Sequence, residues 1–311
     1  MAEKELLRRH LEVIVMVARR GSVHAAAHEL GMTQPAVSRL LAESERLLGT
    51  RLFERSSQGS RPTAPGNLVL ARAQVLLRGF ERLHDFPAAA RPAIRIGCIP
   101  RVMHGLMPRI LERVCASDPA AFRLQLSEDN SAALLAAAGR GELDFSISRL
   151  ADTKTAETMV TEHLYSERIV VVAGRNNRAV GRAPATLASL LGHPWVLPAR
   201  ETSSRATLDR VLREQALPAI VPMIEARSFE TNLAVIARTR LLSIAPESIA
   251  RQQAALGALR IVALKPPLPT SAVMLCYYRD AVEDPVLGEF RGMVLDAARE
   301  TRAAIGARKP T

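Results

Sequence analysis

Through the first eighty or so residues apolar side chains recur every three or four positions; beyond that, short apolar runs alternate with amphipathic stretches, so two kinds of module are predicted. Leu7, Leu11, Ile14 and Ala18 mark a first helix from Glu5 to Arg20, stopped by Gly21. Ser22 is a natural N-cap for a short second helix carrying Val23, Ala26, Ala27 and Leu30 on one stripe, with Gly31 as its stop. Only Met32 separates that glycine from Thr33, which caps a third helix opening with Gln34 and Pro35. The product is a helix, a tight glycine turn and a helix.

At about 100° per residue, Val37, Leu40, Leu41 and Ser44 share one side of the third helix. Gln34, Pro35, Ser38, Arg39 and Ala42 share the other. That free side suits a major groove: Arg39 can fork onto guanine, Gln34 onto adenine, and Ser38 can bond a base or phosphate. The plain alternative is a solvated helix face. After Gly49, the segment TRLFERSSQGSRPTAPG reads as two short strands around Ser57 to Gly59, a wing whose Arg51, Arg55 and Arg61 can meet phosphate or the minor groove. Thr33, Gln34, Pro35, Ser38 and Arg39, with those three arginines, are therefore the candidate contacts to double-stranded DNA.

Val69, Ala73, Leu76, Phe80 and Leu83 step by four and three, the seam of a short coiled coil; the alternative is a helix packed on its own domain. Proline and alanine from Phe86 to Pro92 mark a hinge. The expected divisions are a winged helix-turn-helix over 1–66, a linker helix and hinge over 67–92, and a regulatory domain over 93–311.

In that last part AIRIGCI, LMPRILERVCA, FRLQLS, SAALLAAAG and FSIS alternate strand-like with helical runs, followed by IVVVAG, LASLLG, WVLP, SSRATLDRVLREQ, PMIEA, FETNLAVIA, LLSIAPE, AVMLCYY and a helix from Asp284. The alternation predicts a parallel, doubly wound α/β sheet in two lobes, 93–165 with 268–311 and 166–267. Ligands of such sheets sit beyond the carboxyl ends of strands. Those ends hold Pro100, Arg101 and Val102; Ser127, Asn130 and Ser131; Ser148 and Arg149; Arg200, Thr202 and Ser203; and Ser228, Phe229 and Thr231. Hydroxyls with arginines fit a small anionic or polyhydroxy ligand. Each serine or threonine reads equally well as a helix N-cap without a ligand.

The net charge of +11 over 311 residues invites a nucleic-acid partner, but the excess divides nearly evenly between the first 92 residues and the rest, so charge does not locate the site. No apolar run has the roughly 18 residues of a membrane span and no signal peptide opens the chain, which predicts a cytoplasmic protein without membrane contact. Cys98, Cys115 and Cys276 are odd in number and widely spaced, as reduced, buried thiols would be. His24 and His28 form an i, i+4 pair without a third ligand, so no metal is expected; Trp195 reads as core. There is no GxSxG, HExxH, GxxxxGK[ST] or GxGxxG opening a helix, so neither enzyme nor cofactor is expected. The rival readings are a ligand-binding protein or enzyme with a degenerate DNA-binding domain, and a DNA-binding protein whose C-terminal part serves only assembly.

The stretch GSVHAAAHELGMTQPAVSRLLAESERLLGTRLFERSSQGSRPTAPG resembles the N-terminal signature of LysR-type transcriptional regulators, through Ala26, Ala27, Leu30, Thr33, Gln34, Pro35, Ala36, Val37, Ser38, Glu45, Leu48, Gly49, Leu52, Phe53, Arg55, Thr63 and Gly66. Ser44 stands where that family usually has a buried leucine, and Pro62 where it has leucine. GELDFSISRL and LLSIAPES resemble its effector-binding domain, itself similar to periplasmic solute-binding proteins. The resemblance implies a DNA-binding regulator controlled by a small-molecule effector, a homodimer through the linker helix and a homotetramer on two-fold DNA sites; RNA polymerase is a further candidate partner.

Overall fold

The computed structural model describes residues 5–56, 59–84, 92–117, 122–149, 159–181, 183–278, 281 and 283–306. The chain divides near Ala93 into two compact units.

The first unit opens with α1 (Arg8–Arg20), α2 (Val23–Glu29) and α3 (Gln34–Leu48). Glu5 to Leu7 are not helical, and Leu7 is exposed. Its amide donates to His10 Nδ1 (2.8 Å), so a buried histidine caps the helix where a leucine stripe is expected to continue. Ser22 Oγ accepts from the Ala25 amide and Thr33 Oγ1 from that of Ala36, while Gly21, Gly31 and Gly49 take left-handed φ. Val13, Ile14, Val17, Ala26, Val37 and Leu41 form the core with Leu52 and Phe53 of the following segment. Strands β1 (Phe53–Ser56) and β2 (Gly59–Pro62) pair antiparallel from Phe53↔Pro62 to Ser56↔Gly59; the turn residues Ser57 and Gln58 lie outside the described residues.

Helix α4 (Ala64–His84) follows. Val69 and Leu70 pack on the N-terminal core and Ala73 is buried. Leu76 and Phe80 are exposed, as is Leu68. The expected seam therefore divides: its first half belongs to its own unit and its second half is free. The Leu83 side chain and most of the expected hinge lie outside the described residues.

The second unit is built on a seven-stranded sheet ordered β10-β6-β11-β5-β3-β4, with β9 also paired to β6. Its strands are β3 (Ala93–Cys98), β4 (Arg123–Glu128), β5 (Phe145–Ser148), β6 (Val160–Gly174), β9 (Leu242–Pro246), β10 (Leu259–Val262) and β11 (Thr270–Tyr277); β7 (Val196–Pro198) and β8 (Ile224–Ala226) form a separate parallel pair. The helices are α5 (Pro100–His104), α6 (Met107–Ala116), α7 (Ser131–Gly139), α8 (Leu187–Leu190), α9 (Ser203–Glu214), α10 (Phe229–Arg238), α11 (Glu247–Ala255) and α12 (Pro285–Gly306).

The sheet is mixed, not wholly parallel. β3 and β5 run parallel, but β11 is antiparallel to both β5 and β6, and β9 and β10 are antiparallel to β6. Hydropathy period reports burial of a strand's faces and not its direction, so crossing strands read like the others. β6 is the spine. Its first part pairs with β11 up to Arg168↔Thr270, and its second, from Ile169, lies between β9 and β10. Ile169, Val171 and Ala173 face a core containing Trp195, Leu197 and Leu208, while Val172 faces another with Val196, Ile236 and Leu259. Burial on both faces explains the unbroken apolar run there.

Candidate functional site

In the first unit, Gln34, Pro35 and Arg39 are exposed on α3, Ser38 is partly so, and Thr33 is exposed at the cap. Ser44 on the opposite side is fully buried, and its hydroxyl donates to the Leu40 carbonyl (2.7 Å), which satisfies a polar group on a packing face. Arg51 and Arg61 are exposed at the wing; the Arg55 side chain lies outside the described residues.

Several motif residues build the wing and do not face outward. Glu45 Oε1 accepts from the amides of Leu52 and Phe53 (2.8 and 3.2 Å). Thr63 Oγ1 donates to the Arg51 carbonyl and accepts from the Gly66 amide. A Cβ at Gly66 would stand 2.0 Å from the Leu52 carbonyl oxygen, so only glycine lets α4 start there. The Ser60 amide donates to the Gly21 carbonyl (2.7 Å), tying the wing to the α1–α2 turn.

In the second unit the hydroxyls at strand ends divide between caps and ties. Asn130 Oδ1 caps α7, Thr202 Oγ1 caps α9 and Ser228 Oγ caps α10, each accepting a first-turn amide. Val102 is fully buried and its amide bonds Ile99, so its part is packing. Ser131 Oγ accepts from the Arg149 amide (3.2 Å), Ser148 is buried beside the Cys276 thiol, Ser127 and Thr231 are exposed, and Pro100 is half-buried.

Two arginines stand out. Arg101 is 5% exposed; its Nη1 donates to Ser271 Oγ (3.0 Å), and its Nη2 has no partner. Arg149 Nη1 donates to the Ser203 carbonyl (2.9 Å) and to Thr207 Oγ1 (3.1 Å). Burial, then the charges of Arg101 and Arg210, hold the Arg149 guanidinium below the usual arginine range. Neither guanidinium has a carboxylate within ion-pair distance among the described residues. Nearby on the sheet, burial pushes the Cys98 and Tyr165 acids up, and Glu167, itself buried, accepts from the Ser248 amide. Thr207 and Ser271 carry no motif, and sequence reasoning missed them.

A further tie joins α5 to α10: His104 Nε2 lies 2.6 Å from Glu230 Oε1, and the Phe229 ring is 5.3 Å from the His104 ring. These residues line a cavity of about 360 Å³ with Leu233, Ile249 and Gln253. Burial, then the charge of Glu230, raises the nearby Glu128 carboxyl. Cys276 is raised to about 11 by burial, and Cys98 is likewise inert in its core position. Cys115, expected to be buried, is exposed, because it falls on the outer face of amphipathic α6.

A DNA-reading module and a two-halved α/β binding fold in one polypeptide define a transcription regulator that answers to a small molecule. Residues 8–67 match the model of the bacterial regulatory helix-turn-helix protein, lysR family, and residues 88–299 match that of the LysR substrate binding domain. The chain belongs to the LysR family of transcriptional regulators. It is 28% identical over 260 residues to the regulator GbpR of Azospirillum brasilense, covering 82% of this chain and 75% of that protein. It is 30% identical over 211 residues to the regulator YdcI of Escherichia coli K12, covering 67% of this chain and 68% of the other. Among solved structures, ArgP from Mycobacterium tuberculosis superposes with a TM-score of 0.71 at 18% identity, over 94% of this chain and 98% of that one. Full-length LysG from Corynebacterium glutamicum, solved with its effector Arg bound, gives 0.68 at 17% identity, over 95% and 99%.

Proposed function

We propose that this regulator reads DNA through Thr33, Gln34, Pro35, Ser38 and Arg39 with phosphate contacts from Arg51, Arg55 and Arg61, and that an anion bound beside Arg101 and Arg149 controls it. The observation that carries the ligand class is the Arg101 side chain, buried with one nitrogen unpartnered and a second cation beside it. A buried cation without a counter-charge is costly, and two together more so, so a small carboxylate or other oxyanion would complete the site. That favours an anion over a neutral polyhydroxy compound. No helix among the described residues is long and apolar enough to cross a membrane, and the protein is proposed to act in the cytoplasm without catalysis or cofactor. Pairing through the free part of α4 would give a homodimer and, with further contacts, a homotetramer; RNA polymerase is a proposed further partner.

The test is a thermal-shift panel of inorganic anions, mono- and dicarboxylates, sugars and neutral amides at constant ionic strength. An anion present at 100 times its Kd stabilises by about 2.7 kcal/mol, and Arg101→Leu removes that shift. A shift given by sugars alone, or one that Arg101→Leu retains, rejects the anion site.

A further inference from the structure

We infer that the second unit carries its own contact to duplex DNA: an arginine pole at the end of β6, formed by Arg175, Arg178, Arg238 and Arg240, that holds phosphates without reading bases. The pole is made where three strands share one edge. β6 ends at Gly174, which pairs with Leu259 at the start of β10, while Ala173 pairs with Leu242 at the start of β9. The last turn of α10 crosses that edge so closely that a Cβ on Gly174 would stand 2.5 Å from the Ile236 carbonyl oxygen. Arg175 and Arg178 therefore leave β6 beside Arg238, which ends α10, and Arg240, which leads into β9; all four are exposed.

Polar ties fix both segments. Asn177, 5% exposed, donates Nδ2 to the Arg240 carbonyl (2.8 Å) and accepts from the Ala179 amide (2.9 Å). Arg260 donates to the carbonyls of Asn177 and Gly181 (3.0 and 3.3 Å) and of Val180. A fifth arginine thus orders the loop, and the four exposed ones project from a backbone already held in place.

Their charge is uncompensated. Elsewhere in this unit exposed arginines take a carboxylate one helical turn away, as Arg210 does with Glu214 and Arg251 with Glu247 (both 2.6 Å). Among the described residues no ion pair reaches the four. No Asp or Glu occurs from 168 to 200, from 231 to 246 or from 248 to 279. Glu230 lies in the first turn of α10 and Glu247 just past the far end of β9, so both elements carry their acids away from the pole. Clustered charge of one sign repels itself, a cost that a polyanion removes. A duplex presents one negative charge per about 1.7 Å of its axis, and the guanidinium fork matches phosphate oxygens. The exposed residues set between the arginines are Asn176, Ala179 and Thr239. Asn and Thr bond phosphate oxygens, and no exposed aromatic stands there to stack an unpaired base or anchor a protein surface. That chemistry favours the backbone of a duplex over a single strand or a protein partner.

The experiment is modification of arginines by phenylglyoxal on the full-length chain, followed residue by residue with mass spectrometry. The chain is compared free, with a random-sequence duplex, and with polyglutamate of equal charge. The duplex should slow reaction severalfold at Arg175, Arg178, Arg238 and Arg240 and leave Arg213, exposed on α9, unchanged. Replacing the four together by alanine should lower the salt slope of binding to that duplex by about 3 for each bound chain, at about 0.9 per phosphate contact. Arg213→Ala should leave the slope as it is. The four replaced together by lysine, which keeps the charge, should restore most of the slope, and an unchanged melting temperature shows that the alanine variant folds. An unchanged slope in the folded alanine variant, or protection of Arg213 equal to that of the four, overturns the inference. Protection by polyglutamate alone also overturns it and gives the pole to an acidic protein.

Discussion

Arg39 and Arg61 are both exposed arginines of the first unit, and the proposed DNA contacts give them different work. Arg39 stands on the open side of α3 with Gln34 and Ser38; a bidentate contact to guanine from there discriminates between sequences. Arg39→Ala should cut the preference for operator over random duplex by about 1–3 kcal/mol, measured by competition binding. Arg61 lies on β2 opposite Glu54, and its proposed partner is phosphate. Arg61→Ala should weaken both duplexes alike and lower the salt slope by about one. Equal losses on both duplexes for Arg39→Ala would remove its base-reading role. The exposed set on α3 was legible in the sequence because helical periodicity alone separates the faces, and Thr33 and Ser22 cap as their identities require. What Ser44 does was not legible: its hydroxyl is satisfied by its own helix, a choice of rotamer that spacing does not encode.

At the scale of elements, β6 and α12 show how a polar pair fastens two long segments. Glu162 on β6 accepts from Arg291 Nε and Nη2 on α12 (both 2.7 Å) and from the Tyr277 hydroxyl on β11 (2.5 Å). Burial pushes the Glu162 carboxyl up, but the bonds from Arg291 and Tyr277 outweigh it and leave it below the usual carboxylate value. A depressed folded-state pKa contributes stability above the unfolded value, about 4.3, and that contribution is lost as pH falls through the folded value. The melting temperature of wild type should therefore fall more steeply with acidification below about pH 5 than that of Glu162→Gln, whose loss is already present at neutral pH. Parallel curves would show that the tie contributes nothing. The first part of β6 was missed in the sequence because TEHLYSER mixes exposed and buried positions, while the IVVVAG half was evident. α5, α11 and β10 were missed because each buries only two side chains, too few for a period to show. The direction of β11 was equally hidden, since its alternation of buried and exposed positions reads the same whichever way the strand runs.

For the whole molecule, the free half of α4 is the surface with the largest consequence. Leu76 is 54% exposed and Phe80, beside the Arg8 guanidinium, 39%, so apolar area stays open where a second copy could cover it. Leu76→Glu should lower the mass seen by light scattering toward that of one chain and weaken binding to two-fold DNA sites far more than to a half-site. An unchanged mass would place the interface elsewhere. The sequence by itself determined the DNA-reading module, the change of rhythm to an α/β domain and the arginines at its strand ends, because caps, glycine turns and periodic burial are local physics. Only the tertiary structure decided that Arg101 is buried with an unpartnered nitrogen against Ser271, 170 residues away, and that Arg149 reaches Ser203 and Thr207 on α9. Those partners are chosen by how the strands cross and which helix ends they bring together, and no pattern within a few turns of chain records that meeting.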